Sequence, residues 1–392
     1  MSDCWAPVPE DSDFPIDNLP FCVYRPRDEE PRVGVRIGDH VVDLVAAGID
    51  LEVTARPSLN ALMASGRGGA LRSRIAELLT GLERPELLVP VEDVYVLMPV
   101  DVVDYIDFYS SVHHATNLGR MLRPDAEPLL PNWRHLPVAY HGRARTVVVS
   151  GTPIVRPEGL IASGDGPPRL APTQALDIEL EVGFLVGGPA AARIEPDHAD
   201  RHIFGVVLLN DWSARDIQSF EYQPLGPHLS KSFATTISPW VVTLDAIRPF
   251  LVEPPEQEPQ PDPYLRAALP WGLDLDVAVE LNGERIAATN FREMYWTFAQ
   301  QLAHLTVNGA PTGAGDLFGS GTVSGPTKHE RGSLVELTWR GTEPLTLADG
   351  SSRTFLEDGD TVTLRGWFGG GEEPRIGFGE ATGTIVATPE RA

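Results

Sequence analysis

Cysteine is nearly absent: Cys4 and Cys22 are the only two in 392 residues. Two cysteines near the N-terminus make neither a disulfide framework nor a zinc site of the usual four-ligand spacing. Basic residues are also scarce, with 31 Lys and Arg against 55 Asp and Glu, a formal charge of −24. A nucleic-acid binder needs a basic face to displace counterions from phosphates, so this balance argues against one, and equally against adsorption to anionic membrane. No apolar run approaches the length that crosses a bilayer. The stretch Met1–Pro20 lacks the basic and then apolar order of a secretory signal. The expectation is a highly soluble protein in the reducing cytoplasm. Familiar catalytic signatures are missing too: there is no Walker A loop, no His-Glu-x-x-His and no Gly-x-Ser-x-Gly. The glycines of Gly366–Gly371 lack the dinucleotide spacing and read as a hairpin turn.

What is present is an ordinary globular composition, 42% hydrophobic and 22% charged. Domains commonly run to about 100–200 residues, so two are expected. The first carries strand patterns at Arg32–Ile37 and His40–Leu44 around the turn signal Gly38-Asp39, then helical patterns at Leu59–Ala64 and Leu71–Leu79. Pro85–Pro99 reads as a linker with one strand, which sets the boundary near residue 100 and gives units of 1–100 and 101–392. Beyond it, Thr146–Val149, Asp177–Val186, Ile203–Asn210, Trp240–Leu244, Asp274–Leu281, Leu334–Trp339 and Thr361–Leu364 read as strands. Pro157–Pro172 reads as a loop and Val252–Pro263 as a surface insertion. Strands and helices do not alternate regularly, so a mainly β, α+β chain is expected and a doubly wound sheet is not.

The informative residues are carboxylates. Glu179 and Glu181 lie two apart in a strand pattern. That spacing puts both on one face, roughly 6–7 Å apart. Like charges so placed repel unless a cation or solvent intervenes. Asp211 ends the apolar run Gly205–Asn210, which reads as a strand buried on both faces. Ser213 and Asp216 form a capping-box pattern, so a helix is expected there. On that helix Arg215, Gln218 and Tyr222 share one stripe. A further segment, Val103–Ser111, leads into a helix near Ser110 or Ser111 whose first turns carry His113 and His114.

These segments together resemble the fumarylacetoacetate hydrolase family. The resemblance rests on Asp107–Asn117, Leu130–Trp133, Tyr140–Arg143, Asn210–Gln218, Pro224–Pro227, Lys231–Phe233, Thr235–Trp240, Asp13–Phe21 and Gly319–Thr322. It covers essentially the whole chain, including an N-terminal unit that many relatives lack. It implies a small SH3-like N-terminal β domain, a larger C-terminal β-roll and a homodimer. It implies a metal held by Asp107, Glu179, Glu181 and Asp211, with Lys231 and Thr235 near a second cation contact. It places the catalytic base at His114 with Glu336 as its partner, and oxyanion donors at Arg215, Gln218 and Lys231. Tyr109, Arg123, Tyr140, Gln218, Tyr222 and Thr322 fall where relatives line or hold the substrate. His113 is a departure that supplies a competing base.

Four carboxylates are hard oxygen ligands, suited to Mg²⁺ or Ca²⁺. The resemblance implies hydrolysis of the carbon–carbon bond of 4-fumarylacetoacetate to fumarate and acetoacetate, the last step of tyrosine and phenylalanine breakdown. A histidine titrates near neutrality and can activate water. Oxyanion donors then stabilise the tetrahedral intermediate. The alternatives are a keto-acid decarboxylase, whose relatives resemble Glu179, Glu181 and Asp211 but generally lack the Asp107–His114 segment and the N-terminal domain, and an acylpyruvate hydrolase with a shorter substrate.

Overall fold

A computed structural model of the chain describes residues 4–390 apart from 28, 165 and 372. Its first sheet has five strands in the order Leu88–Pro90, His40–Asp43, Arg32–Ile37, Phe21–Pro26, Val94–Leu97. The helices Asn60–Ser65 and Gly68–Thr80 pack on it through Leu62, Met63, Leu71, Ile75 and Leu79. Pro85–Pro99 therefore contributes two short strands to this sheet, not one strand within a linker.

The second sheet carries the site. Its strands run in the order Ala139–His141, Tyr105–Phe108, Leu317–Gly319, Leu180–Val186, Ile203–Asp211, Thr235–Ile237, Val147–Val149, with Val242–Thr243 paired to Ile203–Asp211. A third sheet orders Glu284–Asn290, Asp276–Leu281, Thr361–Gly370, Glu373–Val386 and Ile154–Val155. With 32% strand and 22% helix, the expected mainly β class holds, with a smaller N-terminal sheet unit and a larger C-terminal one.

Period-two alternation explains why the central strands are apolar throughout. Leu180, Val182, Phe184, Val206 and Leu208 point one way, into a core shared with Val277, Leu364, Phe368 and Phe378 of the third sheet. Leu185, Val207, Leu209 and Leu317 point the other way, into the core of the N-terminal unit. The strand Ile203–Asp211 is accordingly buried at every position, as its sequence predicts.

Several expectations are corrected. Leu334–Trp339 is no strand: Leu334–Leu337 is a short helix, because the Asp177 carboxylate accepts the first two N–H groups of that turn. This tertiary cap overrides a β-like run of apolar residues. Asp177–Val186 is broken into Leu176–Asp177 and Leu180–Val186, since the Glu179 N–H is taken by the Asn210 side chain. Pro157–Pro172 is largely a hairpin of Glu158–Ser163 and Gly166–Pro172, not a loop. A two-stranded ribbon has an open edge for prolines that cannot donate. Trp240–Leu244 shrinks to Val242–Thr243, and Gly366–Gly370 lie within a long strand, leaving only Gly371 of that segment to the turn. The helix Arg215–Glu221 forms without the expected capping box: Ser213 donates to the Asp211 carbonyl, and the Asp216 carboxylate turns to Thr173 and the Gln174 N–H.

Candidate active site

The register of the second sheet builds the site as a row. Asp107 lies opposite Tyr140 on one side and Gly319 on the other. Gly319 lies opposite Gly183, two residues from Glu181 on the same face. Asp211 lies opposite Thr235. All these positions share the face whose far end, through Leu185, Val207, Leu209 and Leu317, packs under the N-terminal unit. Glu179 joins from the break just before Leu180.

Asp107, Glu179, Glu181 and Asp211 are all buried and bring ligating oxygens within 4.8 Å of one another. Gly319 makes this approach feasible: a Cβ there would sit 2.6 Å from Asp107 Oδ1 and 2.7 Å from Glu181 Oε2. Partners are unevenly distributed. Lys231 Nζ donates to Glu179 at 2.5 Å and to Asp211 at 2.7 Å. Tyr140 donates to Asp211 at 2.6 Å, and Thr235 reaches it at 3.5 Å. Gly321 N–H donates to Glu181 Oε2 at 3.0 Å. Asp107 Oδ1 and Glu181 Oε1 are buried with no hydrogen-bond donor among the described residues. Burial, then the neighbouring carboxylates, pushes both of those carboxyls well above the usual range. Burial works against the charge of Glu179 too, but Lys231, Arg215 and His114 outweigh it and hold that carboxyl low. Two orphaned, buried, hard oxygens within a four-carboxylate cluster fit a divalent cation of the Mg²⁺ or Ca²⁺ kind. Neither cysteine belongs to the cluster.

Next to the cluster stands a buried histidine. Ser111 caps the helix Val112–Leu122 by accepting the His114 N–H, which fixes the first turn. His114 Nδ1 meets Glu336 Oε2 at 2.6 Å, and its Nε2 lies 3.3 Å from Thr322 Oγ1 and 3.7 Å from Glu179 Oε1. Glu336 also accepts from Asn117, Ser324 and Ser333. Burial opposes its ionisation, yet His114, Asn117 and Ser333 bring its carboxyl down to about 2. His113 faces outward, 3.5 Å from Glu293, and does not touch the cluster.

Arg215 and Gln218 converge from the helix Arg215–Glu221. Arg215 Nε donates to Asp177 at 2.7 Å and Nη1 to Gln218 Oε1 at 3.0 Å. This turns the Gln218 amide nitrogen away from Arg215. Arg215 Nη2 lies 2.8 Å from Glu179, an ion pair without hydrogen-bond alignment, so donor capacity remains. Tyr109 is half-buried and sets its ring edge-on to His114 at 5.4 Å. Arg123 lies close enough to Tyr109 to act on its hydroxyl electrostatically, and keeps a buried Nε without a partner. The Tyr222 hydroxyl accepts from the Gln223 side chain. Asp177, Asn117, Ser324 and Ser333 are the residues that sequence reasoning missed. Only Asn117 carried a readable signal, three residues after His114 on one helix face.

The model of the fumarylacetoacetate hydrolase C-terminal domain matches residues 105–386, and that of the fumarylacetoacetase N-terminal domain matches residues 17–99. The chain belongs to the fumarylacetoacetate hydrolase family. It is 46% identical over 413 residues to a human protein named fumarylacetoacetase, covering 97% of this chain and 98% of that one. A relative of the same name from Arabidopsis thaliana is 44% identical over 413 residues, with 97% and 98% covered. Among solved structures, a fumarylacetoacetate hydrolase from Exiguobacterium antarcticum superposes with a TM-score of 0.57 at 18% identity, covering 94% of this chain and 99% of that chain. A maleylpyruvate hydrolase from Sphingobium gives 0.55 at 17%, covering 94% and 100%. These two establish a shared fold.

Proposed function

We propose that this protein hydrolyses 4-fumarylacetoacetate to fumarate and acetoacetate. One observation carries the reading: His114 is held at Nδ1 by Glu336 and turns Nε2 toward a buried four-carboxylate cluster. Relatives named fumarylacetoacetase, 44–46% identical along nearly the whole chain, support the substrate.

The steps follow from the residues. Glu336 holds His114 in the tautomer with Nε2 unprotonated and stabilises the imidazolium that forms. His114 Nε2 takes a proton from water, whose oxygen adds to the substrate carbonyl carbon. Gln218, with Arg215 and Lys231, supplies donors to the resulting oxyanion. The carbon–carbon bond then breaks, its electron pair leaves as the acetoacetate enolate, and the imidazolium proton returns to that carbon. Arg123, Tyr109 and Tyr222 hold one end of the substrate by charge-assisted hydrogen bonds, and Thr322, beside His114 Nε2, meets the other end. Asp107, Glu179, Glu181 and Asp211 hold Mg²⁺ or Ca²⁺, which when bound supplies Lewis-acid stabilisation of negative charge. Tyr140 and Thr235 steady Asp211 within that set.

The chain divides near residue 100, supported by a first sheet ending at Leu97 and a second beginning at Tyr105. It works as a homodimer, for which the exposed cross-strand pair Leu160 and Leu170, with exposed Phe220, Leu225 and Leu229, offers apolar surface to cover. A cytoplasmic location is supported by the two unpaired cysteines. No helix among the described residues is long and apolar enough to cross a membrane.

The test is turnover of fumarylacetoacetate by chelator-stripped protein, with and without added Mg²⁺ or Ca²⁺ and with product identification. Metal-restored release of fumarate and acetoacetate supports the reading. No cleavage with either metal moves it to acylpyruvate hydrolysis or keto-acid decarboxylation.

A further inference from the structure

Asp177 is completely buried, yet lies outside the carboxylate cluster. Burying a carboxylate costs several kcal/mol unless it is paired and hydrogen-bonded. Here four donors meet it. Arg215 Nε reaches Oδ2 at 2.7 Å, the Leu334 N–H reaches Oδ1 at 2.7 Å, the Val335 N–H reaches Oδ2 at 3.1 Å, and the adjacent Ile178 N–H reaches Oδ1 at 2.7 Å. Burial pushes its carboxyl up, and Arg215 with the backbone donors opposes that push.

These donors belong to two ends of the site. Arg215 carries the guanidinium whose remaining nitrogens go to Gln218 and Glu179. Leu334 and Val335 open the short turn that carries Glu336, the partner of His114. That turn has only four residues, and its flanking Ser333 makes no backbone cap, giving its hydroxyl to Glu336 instead. Asp177 is therefore what satisfies the first N–H groups of the turn.

We infer that Asp177 is a positioning residue: one carboxylate that orients Arg215 at the oxyanion end and anchors the Glu336 turn at the base end, so that both ends keep one spacing. This rests on the hydrolytic reading above. The donors of Arg215 act on charge that develops only in the transition state, and small displacements of such donors are costly. Loosening Asp177 must therefore lower kcat and leave KM nearly alone.

The experiment uses the full-length metal-loaded protein: wild type, Asp177→Asn, Arg215→Gln, Glu336→Gln, and the two doubles that combine Asp177→Asn with each of the others. Asparagine keeps the shape but turns an NH2 group toward donors. Asp177→Asn is expected to lower kcat about tenfold or more with KM changed less than about twofold. In each mutant background the added loss is expected to be smaller than in wild type, because one of the two routes is already cut. Unchanged kcat in folded Asp177→Asn, or full multiplicative loss in either background, overturns the inference. A second readout does not depend on activity or on that variant folding. Arg215→Lys replaces the guanidinium fork by a point charge, so Asp177 loses one of its restraints. Hydrogen–deuterium exchange at the Leu334 and Val335 amides is then expected to quicken, and unchanged exchange there overturns the shared anchor. Wild type is assayed first: no turnover there fails the functional reading, while the exchange result still decides the anchor.

Discussion

The two sides of the acidic cluster differ in how their charge is met. Glu179 and Asp211 are answered by protein: Lys231 bridges them, Arg215 flanks the first, and Tyr140 donates to the second. Asp107 Oδ1 and Glu181 Oε1 are buried with no donor given to them among the described residues. A protein that could complete both sides has completed one, and left the other in the form that a hard cation completes. Elsewhere in the molecule, Asp360 shows what full completion looks like. It takes two guanidinium nitrogens of Arg353, the Asn282 amide and the Glu357 N–H.

Four changes would break or sharpen this contrast. The largest effect is expected from His114→Ala, which removes the proposed base beside the cluster without touching its acids. Turnover should fall by about 10²–10⁴-fold, while bound metal, measured by elemental analysis, stays at the wild-type ratio. Near-full activity would mean that His113 stands in and the base is misassigned. Lys231→Met comes next. It takes the shared ammonium from the completed side, leaving Glu179 to Arg215 and Asp211 with only the neutral donors Tyr140 and Thr235, and should cost about 3–5 kcal/mol in denaturant unfolding. An unchanged midpoint would show that Lys231 does not set the contrast. Tyr140→Phe deletes one outer donor from Asp211, and metal affinity by calorimetry should weaken about 10–100-fold. Affinity equal to wild type would remove Tyr140 from the support of the cluster.

Asp360→Asn is the mildest, costing about 2 kcal/mol at neutral pH. Burial raises the Asp360 carboxyl, but Arg353, Asn282 and the Glu357 N–H hold it below the ordinary value. The native state thus keeps it ionised to lower pH than the unfolded state does. Its stabilisation is complete above the ordinary aspartate range and disappears as pH falls through the native value. Stability curves of the variant and wild type should therefore converge in acid. Parallel curves down to low pH would contradict the assignment.

The sequence was most legible where one short segment holds its own explanation. The apolar run before Asp211 announces a strand buried on both faces, and Asp107–His114 announces a strand, a capped helix and a histidine in one stretch. It was least legible where a partner lies far along the chain. Glu336 sits 222 residues from His114, and its segment looked like a strand because the cap that makes it helical comes from Asp177, 157 residues from Leu334. Propensity is local, whereas this cap is tertiary. For the same reason the resemblance places Tyr140 where relatives line or hold the substrate, and only the pairing of its strand with Tyr105–Phe108 explains how it comes to donate to Asp211.

The row formed by Tyr140, Asp107, Gly319, Glu181, Asp211 and Thr235 is addressed by strand register alone. A slip of one residue in any member strand would carry its acid to the opposite face, among Phe184, Leu208 and Phe318, and bring an apolar side chain in its place. Errors in this sheet are thus digital. A misregistered molecule holds no weakened site; it holds none, so damage during folding should reduce the number of active molecules while each survivor works at full rate.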